Sequence, residues 1–317
     1  MERLTSALKA LAHPERLRLL VLISDGELTV SELTQITGLS QPRVTQYIKT
    51  LEAAGIIERL REGSWVFSRL RRGNEGVSAV VAASLAALPS DDALLGADWR
   101  RLNDVRAQRA EAAQAFFADV ANDRGQLGEE YLPQSDIDKA MRALVGEGPF
   151  ERHVDLGTGT ARVLTLFADR VKRGSGIDTS HDMLRVARHR LAEAGATHLS
   201  VRQGDLHATP LDAASADLVT LHQVLHYLED PGEAIAEAAR LLSPGGRVLI
   251  VDYIEHGREE FRSDYRHRRL GFSDTEVAEA LSASGLVLES TDTVPAKTRP
   301  DVRLWLGSKP IQDRKTA

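Results

Sequence analysis

The sequence predicts two domains of different fold class, a small α+β domain at the N-terminus and a larger α/β domain after it. Its 317 residues are enough for two domains of about 150 residues each. The N-terminal part of the sequence shows apolar residues at helical spacing, followed by the alternation of a strand. Further along, an apolar segment leads into a glycine-rich turn, which is typical of an α/β domain. We therefore expect a first domain at 1–73, a helical connector at 74–124 and a second domain at 125–317.

The composition excludes several classes of site. The chain has no cysteine, which removes disulfides, zinc thiolate sites and cysteine nucleophiles. With 40 basic and 46 acidic side chains, the net charge of −6 argues against coating nucleic acid through charge alone. Residues 1–72 hold 11 basic and 8 acidic side chains, so the acidic excess lies in the remainder. No apolar run reaches the roughly 18–20 residues of a membrane span and no signal-peptide pattern begins the chain, so we expect a cytoplasmic protein without membrane contact.

The first domain has the pattern of a helix-turn-helix followed by a wing. Thr29 and Glu32 fit a capping box at the start of a short helix, which ends at Gly38. A second helix begins at Ser40 and shows an apolar stripe at three- and four-residue spacing. Alternation over 56–69 then indicates a two-stranded wing.

Polar side chains on the second helix and the wing are of the types that contact DNA. Arginine pairs with guanine edges, glutamine with adenine, and lysine with phosphate. A plain surface helix, or a helix-turn-helix used only for protein contacts, is the alternative; the wing and the local positive charge favour DNA. We expect DNA contacts from Ser40, Gln41, Arg43, Thr45, Gln46, Lys49, Arg61 and Ser64.

Residues 4–72 resemble a winged helix of the ArsR type. The resemblance is carried by LKALAHPERLRLL at 8–20 and LSQPRVTQYIKTLEAAGII at 39–57. It implies a homodimer that reads a palindromic double-stranded operator, acting as a transcriptional repressor. The family often senses metals through cysteines or clustered histidines and carboxylates. Because this chain lacks cysteine and His13 is the one histidine of the segment, we expect no metal site.

Two helices are expected between the domains. Small apolar residues fill 76–88, and a second helix at about 93–121 carries Phe116 and Phe117. Both could be ordinary core helices. We favour a dimer interface for the first one, because the winged-helix resemblance also implies a dimer.

The second domain begins with the segment HVDLGTGTA at 153–161, an apolar strand that enters a glycine-rich turn and then a helix. Asp178 ends a second strand, where a carboxylate holds ribose hydroxyls. These two features would suit a nicotinamide dinucleotide equally. Asp205 after a third strand, the polar end of a fourth at 217–228 and a Pro-Gly-Gly turn at 244–246 favour a different ligand.

Residues 125–307 resemble a class I S-adenosylmethionine (SAM)-dependent methyltransferase, which implies a Rossmann-like α/β fold with a seven-stranded, mostly parallel sheet. The resemblance implies contacts to the amino-acid part of SAM, to its ribose and to its adenine, and a floor near the sulfonium. Ala161 stands where many relatives have a third glycine, and we place Tyr131 over the cofactor. The residues expected to bind SAM or S-adenosylhomocysteine (SAH) are Asp155, Gly157, Thr158, Gly159, Asp178, Thr179, Met183, Gly204, Asp205, Leu206 and His222.

Methyl transfer needs an in-line nucleophile and often a base. His222 and His226 are the catalytic candidates, with Tyr253 and His256 as further possibilities, although histidines at strand ends are commonly structural. The charged segment 259–272 could be a lid or a substrate surface, and we expect a solvated helix there.

Three hypotheses follow. In the first, the protein is a repressor that couples SAM or SAH binding to operator binding. In the second, it is an active small-molecule methyltransferase with an attached DNA-binding domain. The third, a metalloregulator with a vestigial second domain, is remote without cysteine.

Overall fold

The computed structural model describes residues 2–62, 65–71, 75–89, 91–123, 133–263, 265 and 267–311. Within this part of the chain the side chains of 62, 65, 75 and 109–123 are outside the description. The chain divides into two compact units between residues 112 and 113. In the described part, none of the helices combines the length and apolar character needed to cross a membrane.

The first unit is built from helices and a three-stranded antiparallel sheet in the order β1-β3-β2. Its last helix, α6, continues past the boundary between the units. The elements are α1 (Glu2–Leu11), α2 (Pro14–Ser24), β1 (Leu28–Thr29), α3 (Val30–Thr37), α4 (Gln41–Ala53), β2 (Ile57–Glu62), β3 (Trp65–Leu70), α5 (Glu75–Ala86) and α6 (Ala93–Asp123).

The turn between α3 and α4 forms as the sequence predicts. Thr29 and Glu32 make both hydrogen bonds of the capping box at the start of α3. Gly38 ends α3 with φ of +69°, a left-handed conformation that glycine adopts without steric cost. Ser40 is extended, and α4 follows it with Pro42 in its first turn.

The connector helices pack into the core of the first unit. Val77 and Val81 of α5 are each 5% exposed, and they share one cluster of buried side chains with Leu102 and Val105 of α6. Burial of these side chains on the winged helix explains why α5 and the start of α6 belong to the same compact unit. The division of the chain at residues 73 and 124 stays a prediction.

A buried ion pair fixes α6 beside the helix-turn-helix. The guanidinium of Arg18 pairs with the fully buried carboxylate of Asp98, and its Nη2 also donates to the carbonyl oxygen of Thr37 at 2.6 Å. Arg101 Nη1 donates to the carbonyl of Ile36 at 2.9 Å. The last carbonyls of α3 are therefore held by one arginine from α2 and one from α6.

The second unit is a seven-stranded, mostly parallel sheet with helices on both faces, as expected. The strand order is β6-β5-β4-β7-β8-β10-β9, and only β10 runs antiparallel to its neighbours. The elements are α7 (Gln134–Val145), β4 (Phe150–Leu156), α8 (Arg162–Leu166), β5 (Val171–Asp178), α9 (His181–Glu193), β6 (Leu199–Gln203), β7 (Ala216–His222), α10 (Pro231–Leu241), β8 (Leu242–Tyr253), α11 (Glu260–Ser263), α12 (Asp274–Ala283), β9 (Val287–Val294) and β10 (Val302–Ser308).

The order of the strands reverses at β4. From β4 the chain first adds β5 and then β6 on one side, and afterwards β7 and β8 on the other side. Open α/β sheets bind ligands in the crevice at the carboxyl ends of the strands where the order reverses. The ends of β4, β5 and β7 are therefore the place to look for a ligand site in this unit.

One predicted feature differs from the structure, and several predicted residues lie outside the described part of the chain. The described residues of 259–272 do not form a solvated helix, since among them only Glu260–Ser263 is helical and Phe261 is 1% exposed. The aromatic side chains of this segment pack inward, an arrangement that its many charged residues do not indicate. Ser64 and Tyr131, and the side chains of Phe116 and Phe117, lie outside the described residues.

Candidate functional site

Helix α4 presents one apolar and one polar face. Val44, Ile48 and Leu51 are at most 1% exposed and pack into the core of the first unit. The side chain of Ser40 makes no capping hydrogen bond and is exposed, so its hydroxyl points to solvent at the start of the helix. The orientation of α4 is thus set by its apolar stripe, which leaves the other face available to a ligand.

The polar face of α4 carries the residues predicted to contact DNA. Gln41, Arg43, Gln46 and Lys49 are exposed, and Thr45 is partly buried. A shallow groove runs along this face, and Gln41, Thr45, Gln46 and Lys49 line it. These side chains offer the donors and acceptors that read base edges and phosphates.

The wing formed by β2 and β3 leaves one arginine without an ion pair to a described residue. Arg59 is paired with Glu52 at 2.7 Å, and Arg69 with Glu58 at 2.6 Å. Arg61 is exposed and has no ion pair with a described residue. Of the arginines on these two strands, Arg61 is therefore the one whose charge is available to DNA.

The glycine-rich loop after β4 holds a strained and closely packed conformation. Gly157 and Gly159 have φ of +72° and +52°, and Ala161, in the place of a third glycine, has φ of +60°. The backbone N–H groups of Gly157 and Thr158 both donate to the carbonyl of Ile177, at 2.8 and 3.0 Å. The loop is thereby fixed to the end of β5.

The space around the two glycines differs. A Cβ on Gly157 would lie 2.5 Å from Cγ2 of Val224, so only glycine fits against that side chain. A Cβ on Gly159 would meet no atom within 4 Å. The loop therefore packs tightly on one side and faces open space on the other, which is the arrangement a bound ligand needs.

Asp155 lies inside the sheet below this loop. Its carboxylate is 1% exposed and accepts hydrogen bonds from the hydroxyls of Thr158 at 2.7 Å and Thr220 at 2.5 Å. Thr220 Oγ1 in turn accepts from Nε2 of the buried His153 at 2.8 Å. Burial raises the pKa of Asp155 to about 6, because the two hydroxyls only partly replace its hydration. Burial lowers the pKa of His153 to about 3, so this imidazole is neutral.

Asp178 ties the end of β5 to the glycine loop. Its Oδ2 accepts from the backbone N–H of Gly159 at 2.8 Å, and its Oδ1 accepts from that of Ser180 at 2.8 Å. Burial raises the pKa of Asp178 despite these hydrogen bonds. The structure thus brings Asp178 and the glycine loop together, while their contacts to a cofactor stay a prediction.

The remaining expected cofactor residues follow the ends of β5 and β6. Thr179 is exposed, and Met183 is partly buried in the first turn of α9. Gly204 donates its backbone N–H to the carbonyl of Asp178 at 3.1 Å. Asp205 is exposed, whereas Leu206 is 5% exposed and packs in the core below the sheet edge. Hydrogen bonds from His207 hold the pKa of Asp205 below its usual range.

His222, at the end of β7, is held by an arginine that sequence reasoning missed. Arg162 Nη2 donates to His222 Nε2 at 2.8 Å, and the same guanidinium pairs with Asp138 of α7. Burial and the neighbouring Arg162 hold the pKa of His222 well below its usual value. The hydrogen bond occupies the Nε2 lone pair, so His222 is better suited to lining the site than to accepting a proton.

His226 makes a different contact. Its Nδ1 lies 2.6 Å from Oδ1 of Asp252, and both side chains are at most 2% exposed. Since a carboxylate can only accept, Nδ1 is the donor in this contact, and Nε2 is the ring atom that can accept a proton in the neutral imidazole. His267 stacks on His226 with ring centroids 4.0 Å apart. Sequence reasoning selected His226 but missed Asp252 and His267.

The other candidate bases lie close to this histidine. Tyr253 is 4% exposed, and burial raises its pKa, which leaves it a poor base. The pKa of His256 is lowered by burial and by Arg258. Among the described residues, no three His, Asp or Glu side chains are placed together to hold a metal ion.

Two family models match separate parts of the chain. Residues 13–59 match the model described as "Bacterial regulatory protein, arsR family", and residues 154–250 match "Methyltransferase domain". The first match covers α2 to α4 and the start of the wing, and the second covers the glycine loop and strands up to β8. Together with the fold, the second match supports SAM as the cofactor.

Curated relatives align with only part of this chain. An uncharacterized 37.1 kDa protein in transposon TN4556 of Streptomyces fradiae is 34% identical over 135 residues, which are 42% of this chain and 36% of that protein. The uncharacterized methyltransferase YcgJ of Bacillus subtilis is 30% identical over 102 residues, 32% of this chain and 40% of its own. The chain thus spans well under two thirds of the length of these relatives.

Solved structures show the same fold for the second unit. The crystal structure of YcgJ from Bacillus subtilis covers 56% of this chain and 99% of its own, with a TM-score of 0.50 and 19% identity. A methyltransferase in complex with the Trm112 activator of Haloferax volcanii covers 64% of this chain and 97% of its own, with a TM-score of 0.50 and 22% identity. The chain therefore joins a segment that matches the ArsR-family helix-turn-helix model to a segment that matches the methyltransferase-domain model, and its second unit has the fold of these solved methyltransferases.

Proposed function

We propose that this protein is a cytoplasmic transcriptional repressor that binds operator DNA as a homodimer and SAM or SAH in its second unit. The observation that carries the proposal is the occurrence, in one chain, of an exposed reading face on α4 and a fixed glycine loop beside Asp178. Ligand binding couples to operator binding if the two DNA-binding states differ in ligand affinity.

The residues present fit an adenosyl ligand. The open space beside Gly159 leaves room for the ligand against the backbone, and Asp178 ends the neighbouring strand with a carboxylate for the ribose hydroxyls. The family resemblance assigns Asp155 to the amino-acid part, and Thr179, Met183 and Leu206 to the adenine; the Asp155 carboxylate, which is 1% exposed and bonded to Thr158 and Thr220, would act from below the glycine loop. When bound, SAM supplies a sulfonium methyl group, and SAH is the same ligand without it.

Substitution of Arg43 tests whether the polar face of α4 contacts operator DNA. An operator is first selected from random-sequence duplexes, and its affinity is then measured by fluorescence anisotropy. We expect Arg43→Ala to weaken operator binding about 5- to 150-fold, because one base-edge contact contributes roughly 1–3 kcal/mol of discrimination. The exposed Arg100→Ala on α6 is the control of equal charge change. Unchanged operator affinity in Arg43→Ala would exclude α4 as the recognition helix.

Substitution of Asp178 tests whether SAM or SAH binds beside the glycine loop. We expect Asp178→Ala to reduce SAH affinity at least tenfold in calorimetry, since it removes both the ribose partner and the acceptor that orders Gly159. The exposed Asp182→Ala on α9 should bind SAH normally. Operator affinity is then compared with SAM, with SAH and with neither. A protein whose operator affinity ignores both ligands is not the proposed sensor.

The His226–Asp252 pair supports a second candidate function, methyl transfer to a small molecule. With Nδ1 held by Asp252, Nε2 of His226 would accept the proton of the methyl acceptor, and SAM, when bound, would supply the methyl group and be left as SAH. Asp252 would stabilise the imidazolium that forms.

This activity is measured with methyl-labelled SAM and a metabolite extract. We expect His226→Asn to lower labelling of the acceptor about 10²- to 10⁴-fold, the usual contribution of a general base. His189→Asn, at a histidine paired with Glu193 on α9, is the control. The second function is excluded if the wild-type protein labels no acceptor, or if His226→Asn labels it at the wild-type rate.

A further inference from the structure

A second groove in the first unit adjoins the recognition face. It lies between α1 and the second half of α4, and its polar lining comes from Ser6, Lys9, Gln46, Lys49 and Thr50. Alanines from the two helices complete it. Gln46 and Lys49 also line the groove along the polar face of α4. The two grooves are therefore continuous, and α1 borders the surface that reads DNA.

The charge of this groove is positive and uncompensated. Lys9 and Lys49 both line it, both are exposed, and no carboxylate lines it with them. Neither lysine forms an ion pair with a described residue. Two ammonium groups that share a groove without a counter-charge favour binding of an anion there.

Several other basic side chains of the first unit are engaged in ion pairs. Arg18 is paired with Asp98, Arg59 with Glu52, and Arg106 with Asp25. These contacts serve the fold and leave little charge for a ligand. Lys9 differs because it stays exposed beside the recognition helix.

The position of Lys9 is fixed by the backbone around it. Arg16 Nε donates to the carbonyl of Ala10 at 2.5 Å, and its Nη2 donates to the carbonyl of Lys9 at 3.1 Å. These bonds hold the last turn of α1 against the start of α2. The ammonium group thus extends from an ordered turn, so less entropy is lost when it binds a ligand.

We propose that Lys9, together with Lys49, binds the phosphate backbone of operator DNA beside the major groove, so that α1 and α4 form one DNA interface. The inference rests on the proposed function. A phosphodiester fits because it needs a positive charge and neutral donors, which Ser6 and Gln46 supply. Because a phosphate contact carries no sequence information, Lys9 contributes affinity and register rather than specificity.

The salt dependence of DNA binding tests this proposal. Affinities of wild-type protein and of Lys9→Ala are measured for the selected operator and for a scrambled duplex over a series of KCl concentrations. Each phosphate contact contributes about 0.9 to the slope of log K against log salt. For Lys9→Ala, we expect the slope of log K against log salt to be shallower by about 0.9 than for the wild-type protein. We also expect the variant to bind both duplexes more weakly by the same factor.

Matched variants separate this result from others. Arg100→Ala, which removes one exposed positive charge on α6, should keep the wild-type slope. Arg43→Ala should lose discrimination between operator and scrambled duplex, which Lys9→Ala should keep. Because Lys9 is exposed, its truncation should leave the thermal unfolding of the protein unchanged.

Each failure points to a different conclusion. If Lys9→Ala keeps the wild-type slope while wild-type protein binds its operator, the phosphate contact is wrong and the proposed function stands. If that variant instead changes the sedimentation coefficient, the groove belongs to an interface between copies, and the proposal is also overturned. If wild-type protein binds no DNA, both the proposed function and this inference fail.

Discussion

Asp155 carries an electrostatic cost at neutral pH. Its folded pKa of about 6 lies above the ordinary value of 3.8. The folded state therefore holds a proton more strongly than the unfolded state, and its stability contribution is present at low pH and lost as pH rises through 6. Two pKa units correspond to about 3 kcal/mol.

We predict that Asp155→Asn becomes more stable relative to wild type as pH rises. The amide keeps hydrogen-bonding capacity toward Thr158 and Thr220 but has no charge to desolvate. Urea unfolding at about pH 5 and about pH 7.5 should show the difference growing by on the order of 1 kcal/mol. The exposed Asp182→Asn should show no such trend. A pH-independent difference for Asp155→Asn would mean that this carboxylate is not desolvated.

At the residue scale, the sequence indicated which residues lie in the candidate site more reliably than it indicated which side chains they contact. It selected Asp155 and His226, because strand ends and glycine turns are visible in the sequence. It missed Thr220, 65 residues after Asp155, and Asp252, 26 residues after His226. These partners come from adjacent strands of a parallel sheet, whose register no local pattern specifies.

At the scale of elements, the loop after β4 depends on one neighbour. Gly157 needs positive φ and also touches Val224, whereas Gly159 needs positive φ alone. Positive φ costs an alanine about 1–2 kcal/mol, and overpacking costs typically 1–3 kcal/mol more. The two glycines therefore separate the effect of backbone conformation from that of packing.

We predict that Gly157→Ala destabilises the second unit more than Gly159→Ala. Val224→Ala should recover part of the loss in the Gly157→Ala background, because it removes Cγ2, which would lie 2.5 Å from the new Cβ, and leaves only the Cβ of residue 224 at 2.9 Å. It should recover nothing in the Gly159→Ala background. Urea unfolding of the single and double variants measures the coupling. Equal losses for the two glycine variants would contradict the packing seen at Val224.

Element prediction from the sequence worked where the capping chemistry was explicit. Thr29 with Glu32, and Gly38, marked the bounds of α3 closely. The segment after β8 was misread because its many charges suggested solvent, whereas Phe261 and His267 pack against Tyr253 and His226. Alternating charged and aromatic residues have no clear periodicity, so the inward face could not be assigned.

At the scale of the whole molecule, the proposed coupling has a quantitative consequence. If SAH changes operator affinity by some factor, bound operator must change SAH affinity by the same factor. Couplings of this kind are typically 5- to 150-fold. The two factors come from independent measurements, so their agreement is a strict condition.

We predict that SAH changes operator affinity by the same factor by which bound operator changes SAH affinity. Operator affinity is measured by anisotropy with and without saturating SAH, and SAH affinity by calorimetry with and without saturating operator. A scrambled duplex should leave SAH affinity unchanged. Factors that disagree beyond error would mean that SAH and operator do not act on the same conformational equilibrium.

The ion pair between Arg18 and Asp98 sets where this chain can be divided. A fragment or chimera that ended at residue 73 would keep the guanidinium of Arg18 in its buried place and remove the carboxylate that neutralises it. It would also lose Val77 and Val81, which belong to the core of the first unit. The smallest graft that carries the DNA-reading face with its own core must therefore extend through α6 at least to Arg106, which contacts Asp25.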